Sequence, residues 1–541
     1  MARFLSNFNP INSFPEYHGP YNVGTIDVEI PTADLPAPSE TTPDGAQPTV
    51  AFRMFYPCHK DNERERPVRW IPSPQRETMS AFARFMGARD SYAHAMKWLP
   101  QHLYWTTIPA QRNAKLLDPP TLNSRWPVTF FSHGLAGSRN AYSYVCGDLA
   151  SHGTIVIAMD HRDGSSPIQY VRATETTGAG VVEPIKYSHQ PCPEVYEGRD
   201  RQLRIRMWEL GLAFEALNKI DAGEKVENLD DNTSRNRKER VEVLQRFQNM
   251  LDIHRPGKVS WAGHSFGSAT TVQLLKTLYY HNEAPMNGKE LLTPKPNSAI
   301  LRQISPESSA LLLDMWCLPM RSPDQQWLWD RPLPTYAPSG PQGNNVLSVL
   351  SEGFFKWKAN CNDASEVVAP RQPTQTSNHT EENKALPAWA RLRSESPSCD
   401  SGYASETSRS RSSPSPPPPA PISQAPQKGP HEFYPQHSQH FSQSDYGILF
   451  PWIMKRVAKV EDPERILLLN VRAMVQVMRE AGVEVPGQDD GEILRKDEVE
   501  GWIALSSVEE QAGVTGKRKS VKDVKNAAPT NGEGVGTAME A

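Results

Sequence analysis

Gly263-His264-Ser265-Phe266-Gly267 sets a serine between two glycines at the spacing G-x-S-x-G. A serine hydroxyl is a poor nucleophile until a base takes its proton, and that base needs an acceptor for the hydrogen on its other ring nitrogen. The chemistry to look for is therefore acyl transfer by a serine, a histidine and an acid. Five residues alone are weak evidence, but their flanks add context. The apolar-rich run Val259 to Ala262 reads as a strand, and Val272, Leu275 and Leu278 recur at helical spacing. Strand, tight turn and helix in that order make a nucleophile elbow, where small residues two places either side of Ser265 let the two backbones pass.

In such an arrangement the acid and then the histidine follow the serine along the chain, each at the C-terminal end of a later strand. Asp314 meets that condition because it ends the first buried-type run after the elbow, in SALLLDMWCLPM (309–320). Asp324 and Asp330 stand in a polar, Trp-containing loop and are weaker candidates. For the base, the choice lies among His431, His437 and His440. His440 is favoured, with His437 next, because it stands just before Ser442-Gln443-Ser444-Asp445, residue types that start helices, ahead of an apolar run. A tetrahedral intermediate also needs two backbone N–H donors. Phe266, after the nucleophile, supplies one, and Leu135, in the His133-Gly134-Leu135-Ala136-Gly137 loop, supplies the other. No metal or organic cofactor is called for, and the six scattered cysteines show no C-x-x-C spacing.

These groups need a scaffold. WPVTFFS (126–132) and TIVIAMD (154–160) are buried-type strands separated by a helix pattern over 142–151, with polar residues collecting at their C-terminal ends. The expected fold class is α/β, a mostly parallel central sheet with helices on both faces and the site along one edge. His133, His161 and Asp163 at those ends are expected to hydrogen-bond rather than transfer protons. Val23 to Ile30 and Val50 to Pro57 read as an antiparallel pair at the sheet edge, and 346–355 as a further strand. Residues 198–222 read as an amphipathic helix with its charges facing away from the sheet, 224–240 as a solvated charged loop, and 241–251 as another helix. The aromatic and Met-rich stretch 76–105 reads as a helix packed on the core, with a surface that dips into lipid or shapes an acyl entrance as the alternative.

With 58 basic and 62 acidic residues, the net charge of −4 gives no basic excess for nucleic acid or an anionic membrane surface. No run of about 18 uncharged apolar residues predicts a transmembrane segment, and the N-terminus lacks the apolar core of a signal peptide. A cytoplasmic enzyme, at most peripheral to membranes, is expected. Ser and Pro supply 19 of the 34 residues 394–427. Such a composition cannot bury enough apolar surface to order itself, and a long surface loop costs little extra closure entropy. The expected division is a first part of the catalytic domain over 15–361, a disordered insertion over 362–428, the rest of the domain over 429–513, and a disordered tail over 514–541.

The blocks FSHGLAGSRNAYSYVCGDLASHGTIVIAMDHRDGSSP, WAGHSFGSATTV, ALLLDMWCLP and HFSQSDY together resemble the platelet-activating factor acetylhydrolase family of the plasma and intracellular type II kind. The opening strand GPYNVGTIDVEI is similar too. The resemblance implies an α/β-hydrolase fold and calcium-independent hydrolysis of short or oxidised sn-2 acyl esters of phospholipids, met at a membrane surface. It carries the nucleophile onto Ser265, the acid onto Asp314, the base onto His440 and the oxyanion donors onto Leu135 and Phe266. The Ser/Pro insertion and charged loop resemble fungal intracellular members more than the secreted enzyme. A general carboxylesterase or lipase, and a non-catalytic scaffold that binds partners through polyproline II, stand as the alternatives.

Overall fold

A computed structural model of the chain describes residues 13–60, 67–95 apart from 86 and 88, 101–369, 429–496 and 498–506. Its strands are β1 (Asn22–Pro31), β2 (Thr49–Cys58), β3 (Pro67–Arg69), β4 (Thr107–Arg112), β5 (Trp126–Ser132), β6 (Ile155–Met159), β7 (Gln169–Val171), β8 (Gly180–Val182), β9 (Leu251–Asp252), β10 (Ser260–His264), β11 (Ala310–Leu313), β12 (Val346–Val349), β13 (His431–Pro435) and β14 (Trp502–Ala504). One sheet runs in the order β14-β13-β12-β11-β10-β5-β6-β2-β1-β4-β3, with β9 on β5, while β7 and β8 form a separate ribbon. Its centre, β6-β5-β10-β11-β12-β13, is parallel throughout.

Parallel strands are covered on both faces, so they read as continuous apolar runs. Side-chain alternation sends Phe130 and Leu312 into one core, under the Pro193–Asp221 and Phe266–Tyr279 helices. Phe131, Leu311 and Leu313 enter the other core, under the Ser143–Ser151 and Pro463–Glu480 helices. This three-layer arrangement is the α/β-hydrolase fold that the sequence pattern anticipates. The edge that carries the candidate site follows from it, because Ser265, Asp314 and His133 lie immediately beyond the C-terminal ends of β10, β11 and β5.

Several expectations need correction. β1 and β2 pair antiparallel, but they are not at the edge, since β4 and β3 extend the sheet beyond them. Only Val346–Val349 of the 346–355 stretch is strand; Glu352–Lys356 is a short helix capped by Ser351. The 224–240 segment is not a solvated loop. Asn228 and Asp230 are fully buried, with Asn228 accepting the Glu29 N–H and Asp230 paired with Arg139 and Arg172. The next helix starts and ends earlier than its apolar pattern, at Arg237–Gln245, because Asn236 caps it. Charges on the Pro193–Asp221 helix are not all outward either, for Arg199, Asp200, Arg206 and Glu209 are buried.

Between 76 and 105 the chain forms helices Gln75–Phe85, Asp90–Ala95 and Gln101–Trp105. The expected insertion begins too early by several residues, because Lys358–Val368 is helical and Tyr336 Oη donates to Val368 O. Its remainder, 370–428, the tail beyond 506 and the first twelve residues lie outside the described residues. On the far side the chain rejoins the sheet at once, with His431 opposite Leu347. Among the described residues, no helix is long and apolar enough to cross a membrane.

Candidate active site

Ser265 caps the N-terminus of the Phe266–Tyr279 helix with φ 57° and ψ −117°, a conformation that L-residues rarely adopt. The turn is held by Ser265 N–H to Leu313 O at 2.8 Å and by Ser268 Oγ, which donates to Gly263 O and Leu313 O. The flanking glycines are steric requirements. A Cβ on Gly267 would stand 1.9 Å from Ser132 O, and one on Gly263 would stand 2.4 Å from the Gly267 backbone. The serine side chain thus projects from the tip of a rigid strand-turn-helix.

Asp314 and His440 meet against His264, the residue before the serine. His440 Nδ1 lies 2.8 Å from Asp314 Oδ2, and Ser351 N–H donates to the other carboxylate oxygen at 2.5 Å. Both oxygens of the acid are therefore occupied. Burial pushes the Asp314 carboxyl up to about 6, opposed by His264 and the Ser351 bonds, so it is ionised at neutral pH. The His440 ring is clamped between the rings of Phe354, at 4.5 Å and nearly parallel, and His264, at 4.4 Å. The other sequence candidates are elsewhere. His431 faces Glu480, His437 N–H donates to Glu352, Asp324 pairs with Lys289, and Asp330 accepts from Gln326.

The loop after β5 abuts the elbow, since a Cβ on Gly134 would stand 3.0 Å from Ser265 Cβ. Among the described residues, neither the Leu135 nor the Phe266 N–H donates to a protein acceptor. That leaves two backbone donors free at the elbow. Tyr142 ties loop and elbow together: its hydroxyl accepts the Gly134 N–H at 3.3 Å and stands 2.8 Å from His264 Nδ1. An amide N–H can only donate, so the hydroxyl accepts from Gly134, and which way the proton lies in its bond with His264 Nδ1 follows the imidazole tautomer. His264 is neutral, its pKa held well down by burial and by His440.

A second Ser-His-acid row lies below the loop. His161 bridges Ser132 Oγ and Glu209 Oε2 at 2.8 Å each. Geometry alone does not make Ser132 a nucleophile. It is the last residue of β5, paired in the ladder with Gly263, rather than the tip of a strand-turn-helix elbow. Asp163 is likewise structural, bonded to Arg206 and Ser165.

Sequence reasoning missed several supporting groups. Asp445 accepts from Trp70 Nε1 and from the Ser143 and Tyr144 amides, fixing the segment after His440 against the start of the Ser143–Ser151 helix. Burial pushes its carboxyl up to about 7, against three N–H donors that favour the carboxylate. The only signal of this lock was the Asp itself, read as a helix start. Beside the loop a cavity of about 160 Å³ has apolar walls from Trp70, Phe82, Tyr446 and Phe450 and a polar floor from Arg139 and Asp160. Tyr446, one of its walls, has its hydroxyl 3.4 Å from Ala136 O in the 133–137 loop.

The profile of the family described as "Platelet-activating factor acetylhydrolase, isoform II" matches residues 6–334. A "Putative phospholipase A2" of Schizosaccharomyces pombe is 27% identical over 518 residues, covering 92% of this chain and 98% of the relative. The "Platelet-activating factor acetylhydrolase" of Cavia porcellus is 32% identical over 266 residues, covering 49% of this chain, which thus spans about half of that relative (52%). Among solved structures, a ferulic acid esterase from Streptomyces cinnamoneus aligns over 91% of this chain and 99% of its own at 13% identity and a TM-score of 0.43.

Proposed function

The chain belongs to the platelet-activating factor acetylhydrolase, isoform II, family, and from that premise we propose that it is a serine esterase hydrolysing the sn-2 acyl ester of glycerophospholipids with short or oxidised acyl chains. The observation that carries this reading is the 2.8 Å contact of His440 with Asp314, against the residue that precedes a serine on a strained elbow. Ser265 Oγ attacks the ester carbonyl while His440 Nε2 takes its proton. Asp314 accepts the Nδ1 hydrogen, which keeps Nε2 bare for that task. The oxyanion receives the Leu135 and Phe266 N–H groups. His440 then protonates the departing lysophospholipid oxygen, and a water activated by the same imidazole releases the acid. The apolar-walled cavity lined in part by Tyr446 gives an acyl chain a place out of water.

The test is turnover of sn-2 acetyl, butanoyl, nonanoyl and palmitoyl phospholipids beside p-nitrophenyl esters of the same chain lengths. A preference for the short sn-2 phospholipids supports the proposal. Equal or better turnover of simple esters and of the palmitoyl lipid would make the protein a general carboxylesterase or lipase instead.

A further inference from the structure

His133 is wholly buried directly before the oxyanion loop, and its two ring nitrogens face groups of fixed hydrogen-bonding sense. The His161 backbone N–H donates to His133 Nε2 at 3.1 Å, and Nδ1 lies 2.9 Å from Gly134 O. An amide N–H cannot accept and a carbonyl cannot donate, so the neutral tautomer with hydrogen on Nδ1 satisfies both at once. Burial and the nearby Arg206 guanidinium hold the imidazole in that neutral state, with its pKa lowered to about 4. Arg206 Nη1 also donates to His133 O, anchoring the residue from behind.

Gly134 O and the Leu135 N–H belong to one planar trans peptide, so they point in opposite directions. Whatever holds that oxygen turned away from the elbow holds the N–H turned toward it. Gly134 O has two holders, the Gly137 N–H at 3.1 Å and the His133 ring, while Ala136 N–H to Ser165 O at 2.9 Å fixes the next turn. A flipped peptide would aim a carbonyl at the oxyanion, repelling the charge it must stabilise. We propose that His133 is a positioning residue of the oxyanion hole, whose Nδ1–H to Gly134 O locks the Gly134–Leu135 peptide with the Leu135 N–H facing Ser265. The inference rests on the reading of Ser265 as nucleophile.

Two substitutions in the full-length protein separate this role from simple packing. His133→Asn keeps a donor on the atom bonded to Cγ, where Nδ1 stands, but loses the acceptor for the His161 N–H. His133→Gln does the reverse, reaching the Nε2 position with its amide and leaving Gly134 O without its side-chain donor. Losing one oxyanion donor costs about 100- to 1000-fold in kcat, so loosening one is expected to cost roughly 10- to 100-fold. The expected result is that His133→Gln lowers kcat by that factor with KM nearly unchanged, while His133→Asn recovers to within about fivefold of wild type. Affinity for an acyl trifluoromethyl ketone, whose adduct places an oxyanion in the hole, falls with kcat in His133→Gln, while affinity for the matching methyl ketone does not. Equal losses in the two variants, or unchanged trifluoromethyl ketone affinity in His133→Gln, would overturn the lock while wild-type ester turnover leaves the esterase reading standing. Absence of wild-type turnover on every ester would overturn both.

Discussion

Replacing Asp314 with Asn separates catalysis from stability in opposite directions. The side chain is fully buried, with one oxygen on Ser351 N–H and the other on His440 Nδ1. An amide oxygen still accepts from Ser351, so its NH2 group must face His440 Nδ1. That nitrogen then has to be the bare one, and the ring hydrogen moves to Nε2, where it blocks proton transfer from Ser265. A wrong-tautomer change of this kind costs about 10⁴-fold in kcat in a serine protease, equivalent to about 5.5 kcal/mol. Stability moves the other way. Burial raises the folded-state pKa from its ordinary 3.8 to about 6, so folding favours the protonated acid and stability declines as pH rises through that window. At neutral pH the buried carboxylate costs up to about 3 kcal/mol, and the neutral amide removes that cost. Asp314→Asn is therefore expected to lose about four orders of magnitude in kcat at pH 7.5 on a chromogenic ester while its thermal midpoint stays level or rises. Activity within tenfold of wild type, or a midpoint that falls sharply, would refute the tautomer and burial reasoning.

The His133 pKa drops from its ordinary 6.5 to about 4 on folding, so the unfolded chain binds more protons between those values; about 3 kcal/mol from this residue alone is present above pH 6.5 and lost as pH falls toward 4. Asp314 and Asp445, whose carboxyls burial pushes up, shift stability the other way over the same range, so the difference in urea midpoint between wild type and His133→Asn isolates the imidazole; it is expected to fall from pH 7 through 5.5 to 4.5, and a difference that did not change with pH would count against it. Phe354→Ala removes the ring stacked on His440 and is expected to cost about 3 to 5 kcal/mol of stability, since a buried phenyl leaves a cavity. With the imidazole unsupported on one face, kcat should also fall more than KM changes. Steady-state kinetics on the folded variant would detect the opposite pattern.

Local signals were the legible ones. The elbow announced itself because its chemistry requires glycines at fixed offsets and its context requires a strand before and a helix after, all within one short stretch. The place of Asp314 at the sheet edge was legible because a buried parallel strand is a continuous apolar run, and the first polar residue beyond it marks that edge. His440 could only be ranked against His431 and His437, and it is the one that lies against Asp314. What stayed hidden depends on partners far apart in the chain. Phe354 supports a ring 86 residues later, and Trp70 reaches Asp445 across 375 residues, pairings that leave no periodic trace. The 224–240 segment misled for the same reason. Charge density reads as solvation unless the compensating arginines are known, and Arg139 and Arg172 come from distant loops. The charged face of the Pro193–Asp221 helix was misread likewise, because Arg206 and Glu209 serve the strand ends beneath the site rather than water.

The most direct measurement is the covalent address of the acyl group. Brief reaction with a fluorophosphonate, followed by digestion and mass spectrometry of the full-length protein, should locate the adduct on Ser265 alone and abolish ester turnover in step with labelling. Ser265→Ala should take no label and show no turnover while keeping its melting temperature. An adduct on Ser132 or any other residue, or wild-type turnover by Ser265→Ala, would contradict the assignment.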